Sequence, residues 1–162
     1  MRDLNGFALP ADGILPAQWL RKAVGERWIV SERTIPESSY QPASLDLRLG
    51  ETAYRLRCSF LPGPFTVAER LREYEMGHLD LRDGAILERN RPYLIPLLER
   101  LDLPDAVRAK ANPRSSTGRV DVFTRVISDR GFTFDDVQPG YEGQLYLEVV
   151  SRSFTVKVQT GI

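Results

Sequence analysis

Residues 112–121 concentrate side chains that suit anion binding. Two arginines, Arg114 and Arg119, flank three consecutive hydroxyl residues and Gly118. A guanidinium group offers a fixed fork of donors to phosphate oxygens, and hydroxyl groups add short donors. If Ser115 and Arg119 lie four residues apart on one helical turn, both can face the same anion. The segment therefore predicts a polyphosphate site, although a polar surface turn fits its composition equally well.

A second segment, residues 137–149, predicts a turn followed by a strand. Proline and glycine residues open it, and apolar and polar residues then alternate strictly. One face of the predicted strand is apolar, while the other carries Glu148 beside Gln144 and Tyr146. The plainest interpretation of such a strand is a half-exposed one whose polar face meets water.

The third segment, residues 41–50, alternates in the same way. Its three leucines point to one side from residue 45 onward, and Asp46 and Arg48 point to the other. A strand of this kind buries its leucines. The two charged side chains are then expected on the polar face, either as a mutual ion pair or directed toward a partner.

The elements around these segments predict an all-β domain. Short alternating strands separated by glycine and proline turns favour a β-barrel or sandwich. Only two short helices are expected: residues 17–24, and residues 67–74 behind a capping box formed by Thr66 and Glu69. A chain of 162 residues is one domain by default. We assign residues 14–162 to it and expect residues 1–13 to be loosely held.

Composition excludes several classes of function. Lysine plus arginine and aspartate plus glutamate both total 22, so the net charge is zero and a general nucleic-acid polymer binder is not expected. No apolar run approaches the ~20 residues of a membrane span, and the first residues lack a signal-peptide core. We therefore expect a cytoplasmic protein without a membrane partner.

The chain has one cysteine, Cys58, and one histidine, His78. An internal disulfide is excluded, and a zinc site of the usual Cys/His type lacks ligands. The zinc deaminase signature is absent as well. Cys58 is expected to be a small core residue, and His78 is expected at the C-terminus of the second helix.

Taken together, the three segments resemble the dCTP deaminase branch of the dUTPase-like superfamily. The resemblance rests on Q-P-A-S-L-D-L-R-L-G at 41–50, on R-S-S-T-G-R at 114–119 and on Q-P-G-Y-E-G at 138–143 leading to Glu148. Their order and spacing match the family across most of the chain. The resemblance implies a mainly β fold with short helices, a distorted β-barrel or jelly roll.

The resemblance also implies roles for particular residues. The nucleotide triphosphate, with Mg²⁺ on its phosphates, would be bound by Arg114, Ser115, Ser116 and Arg119, with Gln138 also at the nucleotide. Glu148 would be the catalytic general base for zinc-independent deamination of dCTP to dUTP and ammonia, with Ser115 positioning the attacking water. The family's sites lie between subunits, which implies a homotrimer or a tandem pseudo-trimer.

Departures from the family pattern leave alternatives open. Gln138 replaces the aspartate of the dUTPase branch, and an amide cannot act as a base, which makes a dUTPase-like pyrophosphatase the least favoured function. The chain resembles the N-terminal copy of a tandem bacterial form, so we expect a domain truncated at its C-terminus, without the segment that covers the nucleotide. A non-catalytic nucleotide-binding copy that supports a second domain is the remaining alternative.

Overall fold

The computed structural model describes residues 13–162. The predicted loosely held segment, residues 1–13, lies outside the described residues except for Gly13. Over residues 13–162 the chain forms twelve strands, three α-helices and one 3₁₀ turn. The helices are α1 (Ala17–Gly25), α2 (Val67–Tyr74) and α3 (Ser115–Arg119), and the 3₁₀ turn covers Glu37–Ser39. The all-β prediction is confirmed.

The strands are short apart from two. They are β1 (Ile29–Ser31), β2 (Tyr40–Gln41), β3 (Ser44–Leu45), β4 (Thr52–Leu56), β5 (Glu75–Asp80), β6 (Ala85–Leu87), β7 (Pro92–Asp102), β8 (Ala109–Lys110), β9 (Val122–Ser128), β10 (Asp136–Val137), β11 (Glu142–Ser151) and β12 (Val156–Val158). The main sheet runs in the order β5-β4-β7-β11-β9, and β1 also pairs with β7. Every pair in this sheet is antiparallel. Three two-stranded sheets, β10-β8, β12-β6 and β2-β3, complete the pairing.

Apolar clusters cover both faces of the main sheet. Leu145 and Val149 of β11 belong to the larger cluster, which also holds Tyr93 and Ile95 of β7. The opposite face carries a smaller cluster that includes Leu94 and Ile127, with Tyr54 and Tyr146 packed against it. The two faces alternate along each strand, as the pleat requires. The expectation that the polar face of β11 meets water is therefore wrong, because α2 and the chain around it cover that face.

Local signals predicted the first two helices well. Helix α1 covers the predicted residues and extends to Gly25. Helix α2 begins after Thr66, whose side chain accepts from the Glu69 amide while the Glu69 carboxylate accepts from the Thr66 amide. This reciprocal arrangement satisfies two amides that a helix N-terminus otherwise leaves unpaired. Helix α2 contributes Val67 and Leu71 to the smaller cluster.

Two single-residue expectations are wrong. Cys58 is exposed rather than in the core. His78 lies within β5 and not at a helix terminus, because α2 ends at Tyr74 and the chain enters the strand at once. Its ring instead lies 3.1 Å from the Glu75 carboxylate. Within residues 13–162, no helix is long and apolar enough to span a bilayer.

Candidate functional site

The segment predicted to bind phosphate contains a third short helix, beyond the two that the sequence predicted, so Ser115 and Arg119 do share one helical turn. Arg114 is the N-cap of α3 with extended backbone, and Ser115 and Arg119 are the first and last residues of that helix. The side chains of Ser115, Ser116 and Arg119 are exposed, and within residues 13–162 none of them makes a hydrogen bond or ion pair. A Cβ added at Gly118 would meet no atom within 4 Å, so this side of the helix is open. The donors are accessible to a ligand.

Arg114 connects this helix to the segment at 41–50. Its Nη2 lies 2.9 Å from Oδ2 of Asp46. The same Oδ2 accepts a 2.9 Å hydrogen bond from Nε2 of Gln41. Of the two alternatives that the sequence left open for Asp46, a mutual ion pair with Arg48 or direction toward another partner, the structure shows the second. The structure brings the first segment, residues 112–121, into direct contact with the third, residues 41–50.

Arg48 has a different partner. Its Nε donates to Oε1 of Glu99 at 2.7 Å, and its backbone amide donates to Oε2 at 2.8 Å. The remaining guanidinium donors reach the carbonyls of Arg33 and Thr34 and the hydroxyl of Ser31. Both side chains are buried, with exposed fractions of 9% and 0%. The mutual ion pair of Asp46 and Arg48, one of the two alternatives, is therefore not formed, and the Arg48–Glu99 pair anchors β7 to the segment at 41–50.

Glu148 lies in the middle of β11, opposite Leu94 of β7 and Arg125 of β9. Only 4% of the residue is exposed. Its Oε2 is buried and has no hydrogen-bond partner within the described part of the chain. A buried polar atom without a partner is costly and uncommon in folded proteins, and it calls for an explanation. A carboxylate oxygen buried without a partner is the kind of group that a bound water molecule or a ligand would satisfy.

The surroundings of Glu148 are aromatic and cationic. The Arg125 guanidinium lies 4.7 Å from the centre of the Phe134 ring. Tyr146 lies two residues before Glu148 and on the same face, and its burial raises the pKa of the phenol to about 12. Tyr146 therefore remains a neutral hydroxyl at ordinary pH. The Arg125–Phe134 contact had no signal in the sequence, because the two residues come from different segments.

Gln138 is exposed and lies directly after β10. Its carbonyl accepts from the Tyr141 amide at 3.2 Å, which closes the turn into β11. In the same loop the carboxylate of Asp135 accepts from the amide of Val126 at 2.7 Å. Asp135 thus ties the loop to the edge of β9, and its Oδ1 already has a partner.

Strand β9 connects the predicted site residues. It follows α3 after a turn at Asp121, which has φ 55. Val122 pairs with Ser151, and three residues further along Arg125 pairs with Glu148. Three residues of strand correspond to about 10 Å. Within residues 13–162, however, no hydrogen bond joins Glu148 to Ser115: Glu148 lies on β11, and Ser115 lies in the helix that precedes the neighbouring strand β9.

Comparison with known proteins identifies the family of the chain. The family described as the 2'-deoxycytidine 5'-triphosphate deaminase (DCD) N-terminal domain matches residues 11–162. The chain belongs to this family. Within residues 13–162, no group of three or more His, Cys, Asp or Glu side chains is arranged to hold a metal ion.

Several relatives of this DCD N-terminal domain are similar to it. A protein of Methanosphaera stadtmanae named "dCTP deaminase, dUMP-forming" is 28% identical over 146 residues, 84% of this chain and 67% of the relative. A protein of the same name from Coprothermobacter proteolyticus is 30% identical over 138 residues, 84% of this chain and 69% of the relative. The family resemblance seen in the sequence is confirmed.

A solved structure is similar over nearly the whole domain. The crystal structure of 2'-deoxycytidine 5'-triphosphate deaminase from Agrobacterium tumefaciens matches with a TM-score of 0.89 and 45% identity. The match covers 92% of this DCD N-terminal domain chain. The chain spans 45% of the length of that protein.

Proposed function

We propose that this chain takes part in the hydrolytic deamination of dCTP, releasing ammonia and forming dUTP. The observation that carries the proposal is the buried Glu148 carboxylate, whose Oε2 has no partner within residues 13–162. Membership of the DCD N-terminal domain family supports dCTP as the substrate. So do the names of the relatives, all of which refer to dCTP deaminases.

The phosphates of the substrate would be bound at the start of α3. Arg114 and Arg119 supply positive charge, and Ser115 and Ser116 supply hydroxyl donors, all on exposed side chains. Charge-assisted hydrogen bonds from guanidinium groups suit a triphosphate. We treat the substrate as the Mg²⁺ complex of dCTP, with the ion on the phosphates. Gln138, exposed beside the turn into β11, is a further expected nucleotide contact.

Glu148 would act as the general base. Water attacks C4 of the cytosine ring while its proton passes to the carboxylate, and that proton is then returned to the departing amine. The overall reaction converts dCTP and water to dUTP and ammonia. Ser115 would orient the attacking water. In this scheme Glu148 moves the proton, and the proposal needs no zinc held by the protein.

The identity of the product separates this proposal from its nearest alternative. Both relatives described above carry names that end in "dUMP-forming". Formation of dUMP also requires hydrolysis within the phosphate chain. Gln138 offers an amide at the position of the dUTPase aspartate, and an amide cannot take a proton from water. We therefore propose dUTP as the product of this chain.

A second candidate function is nucleotide binding without chemistry. It is favoured by the absence of direct contact between Glu148 and Ser115 within residues 13–162. In a homotrimer or a tandem pseudo-trimer, Glu148 of one copy and Ser115 of another could form one site. Deamination then would not require contact between these residues within a single copy. Light scattering of the purified protein measures whether such an assembly forms.

The deciding experiment is to incubate the protein with dCTP and Mg²⁺ and to measure both ammonia and nucleotide products. Ammonia equal to dUTP, with no pyrophosphate, is the expected result. If ammonia appears together with dUMP and pyrophosphate, the product is dUMP and not dUTP. Binding of dCTP without ammonia release would establish the second candidate and overturn the deaminase proposal.

A further inference from the structure

We propose that Asp46 is a positioning residue for phosphate binding, acting through Arg114. The inference rests on the proposed function, since it concerns the same triphosphate site. Arg114 Nη2 and Asp46 Oδ2 lie 2.9 Å apart. Nothing in the sequence pairs these residues, which come from different segments.

Asp46 is itself held firmly. Its backbone amide donates to the carbonyl of Ser39 at 2.8 Å. Nε2 of Gln41 donates to Asp46 Oδ2 at 2.9 Å and also lies 3.2 Å from the carbonyl of Ser38. The carboxylate is therefore fixed from its backbone and from its side chain before it meets Arg114.

The exposure of the pair indicates a role other than stability. The Arg114 side chain is 66% exposed and that of Asp46 is 22% exposed. Ion pairs in such surroundings contribute little to folding because water screens them and the side chains lose freedom. Arg48, two residues after Asp46, forms the buried pair with Glu99 that already links this segment to β7.

An exposed arginine has many rotamers, and binding a phosphate with it requires most of them to be lost. Asp46 engages one terminal nitrogen, which leaves the other guanidinium donors for a phosphate. Arg114 is also the N-cap of α3, directly before Ser115 and Ser116. The pair thus holds the guanidinium beside the hydroxyl donors before the ligand arrives.

The consequence is a selective effect on phosphate binding. We expect Asp46→Asn to weaken binding of Mg·dCTP by about 5- to 10-fold, since preorganisation of a charge-assisted contact is lost. Binding of inorganic triphosphate should be weakened by a similar factor, because the effect does not involve the cytosine base. Deamination should show a raised KM with kcat within about twofold, the pattern of lost uniform binding.

The test is a double-mutant cycle with Asp46→Asn, Arg114→Gln and the double variant. Calorimetry measures Kd for Mg·dCTP and for inorganic triphosphate, and thermal unfolding checks that each variant is folded. Glu37→Gln is the matched control, because it breaks another exposed arginine–carboxylate pair, Arg21–Glu37. We expect the double variant to bind no more weakly than Arg114→Gln alone.

Unchanged or tighter binding by Asp46→Asn, or a loss that adds fully to that of Arg114→Gln, would overturn the inference. The proposed function fails separately: if the wild-type protein binds Mg·dCTP but releases no ammonia, the binding cycle still decides the role of Asp46. A wild-type protein that binds neither dCTP nor triphosphate would overturn both.

Discussion

Arg125 lies directly opposite Glu148 on the neighbouring strand, yet its guanidinium rests on the Phe134 ring rather than on the carboxylate. An ion pair with the neighbouring arginine would occupy the carboxylate and favour its charged form. Within the described residues Glu148 Oε2 has no partner at all. Within residues 13–162 the arginine opposite Glu148 therefore makes a cation–π contact and leaves the buried carboxylate oxygen without an ion-pair partner.

The first prediction concerns the chemistry of Glu148. Glu148→Gln keeps the shape of the side chain but removes its ability to take a proton. We expect deamination of dCTP to fall by about 10²- to 10⁴-fold, the usual contribution of general acid–base catalysis. Glu32→Gln is the control, because Glu32 is an exposed carboxylate outside the site. Equal ammonia release by Glu148→Gln and wild type would exclude Glu148 as the base.

The second prediction concerns the stability cost of Glu148. Replacing it with leucine removes a buried oxygen without a partner and adds apolar contact with Leu94 across the sheet. Since an unsatisfied buried polar group costs about 1–3 kcal/mol, Glu148→Leu should unfold at higher urea concentration than wild type while losing activity. A lower midpoint would mean that the carboxylate is satisfied in solution.

The third prediction concerns the buried pair of Arg48 and Glu99. Arg48→Met leaves the Glu99 carboxylate, which is 0% exposed, without its guanidinium partner and keeps only the hydrogen bond from the backbone amide of residue 48. We expect a loss of about 3–5 kcal/mol in the free energy of unfolding, and partial recovery when Glu99→Leu is added. Urea unfolding measures both changes.

A surface variant provides the comparison for that experiment. Arg33→Met breaks the exposed pair of Arg33 and Glu51 and should cost no more than about 1 kcal/mol. If Arg48→Met proved as mild as Arg33→Met, the assignment of Arg48 as a structural anchor would be wrong.

The fourth prediction is the effect of alkaline pH. Burial raises the pKa of Tyr146 from 10.0 to about 12. Between these values the unfolded chain has lost the phenolic proton while the folded protein retains it. The unfolded state then binds fewer protons, so the free energy of unfolding falls as pH rises through this interval. Tyr146→Phe removes this contribution.

Urea unfolding of wild type and Tyr146→Phe at about pH 9 and about pH 11 tests the sign. We expect the variant to lose less stability across this interval than wild type. The stability of Tyr146→Phe should still depend on pH in this interval, because burial also raises the pKa of Tyr141. Identical losses in the two proteins would show that Tyr146 titrates normally in the folded state.

Features that depend on neighbouring residues in the chain were predictable from the sequence. The capping box of Thr66 and Glu69 begins α2, and the four-residue spacing of Ser115 and Arg119 corresponds to a real helical turn. The alternation of β11 identified which residues share a face with Glu148. These signals act within a few residues, so one sequence contains them.

The sequence by itself determined the all-β class, the family and the three segments that carry the candidate chemistry. Only the tertiary structure decided that Asp46 meets Arg114, that Arg48 meets Glu99 and that Glu148 is buried. The pairing of carboxylates with arginines depends on strand register and on how distant segments pack. The alternation of residues along one strand carries no information about either. Alternation separates two faces, but whether water or a second apolar cluster covers the polar face depends on elements elsewhere in the chain.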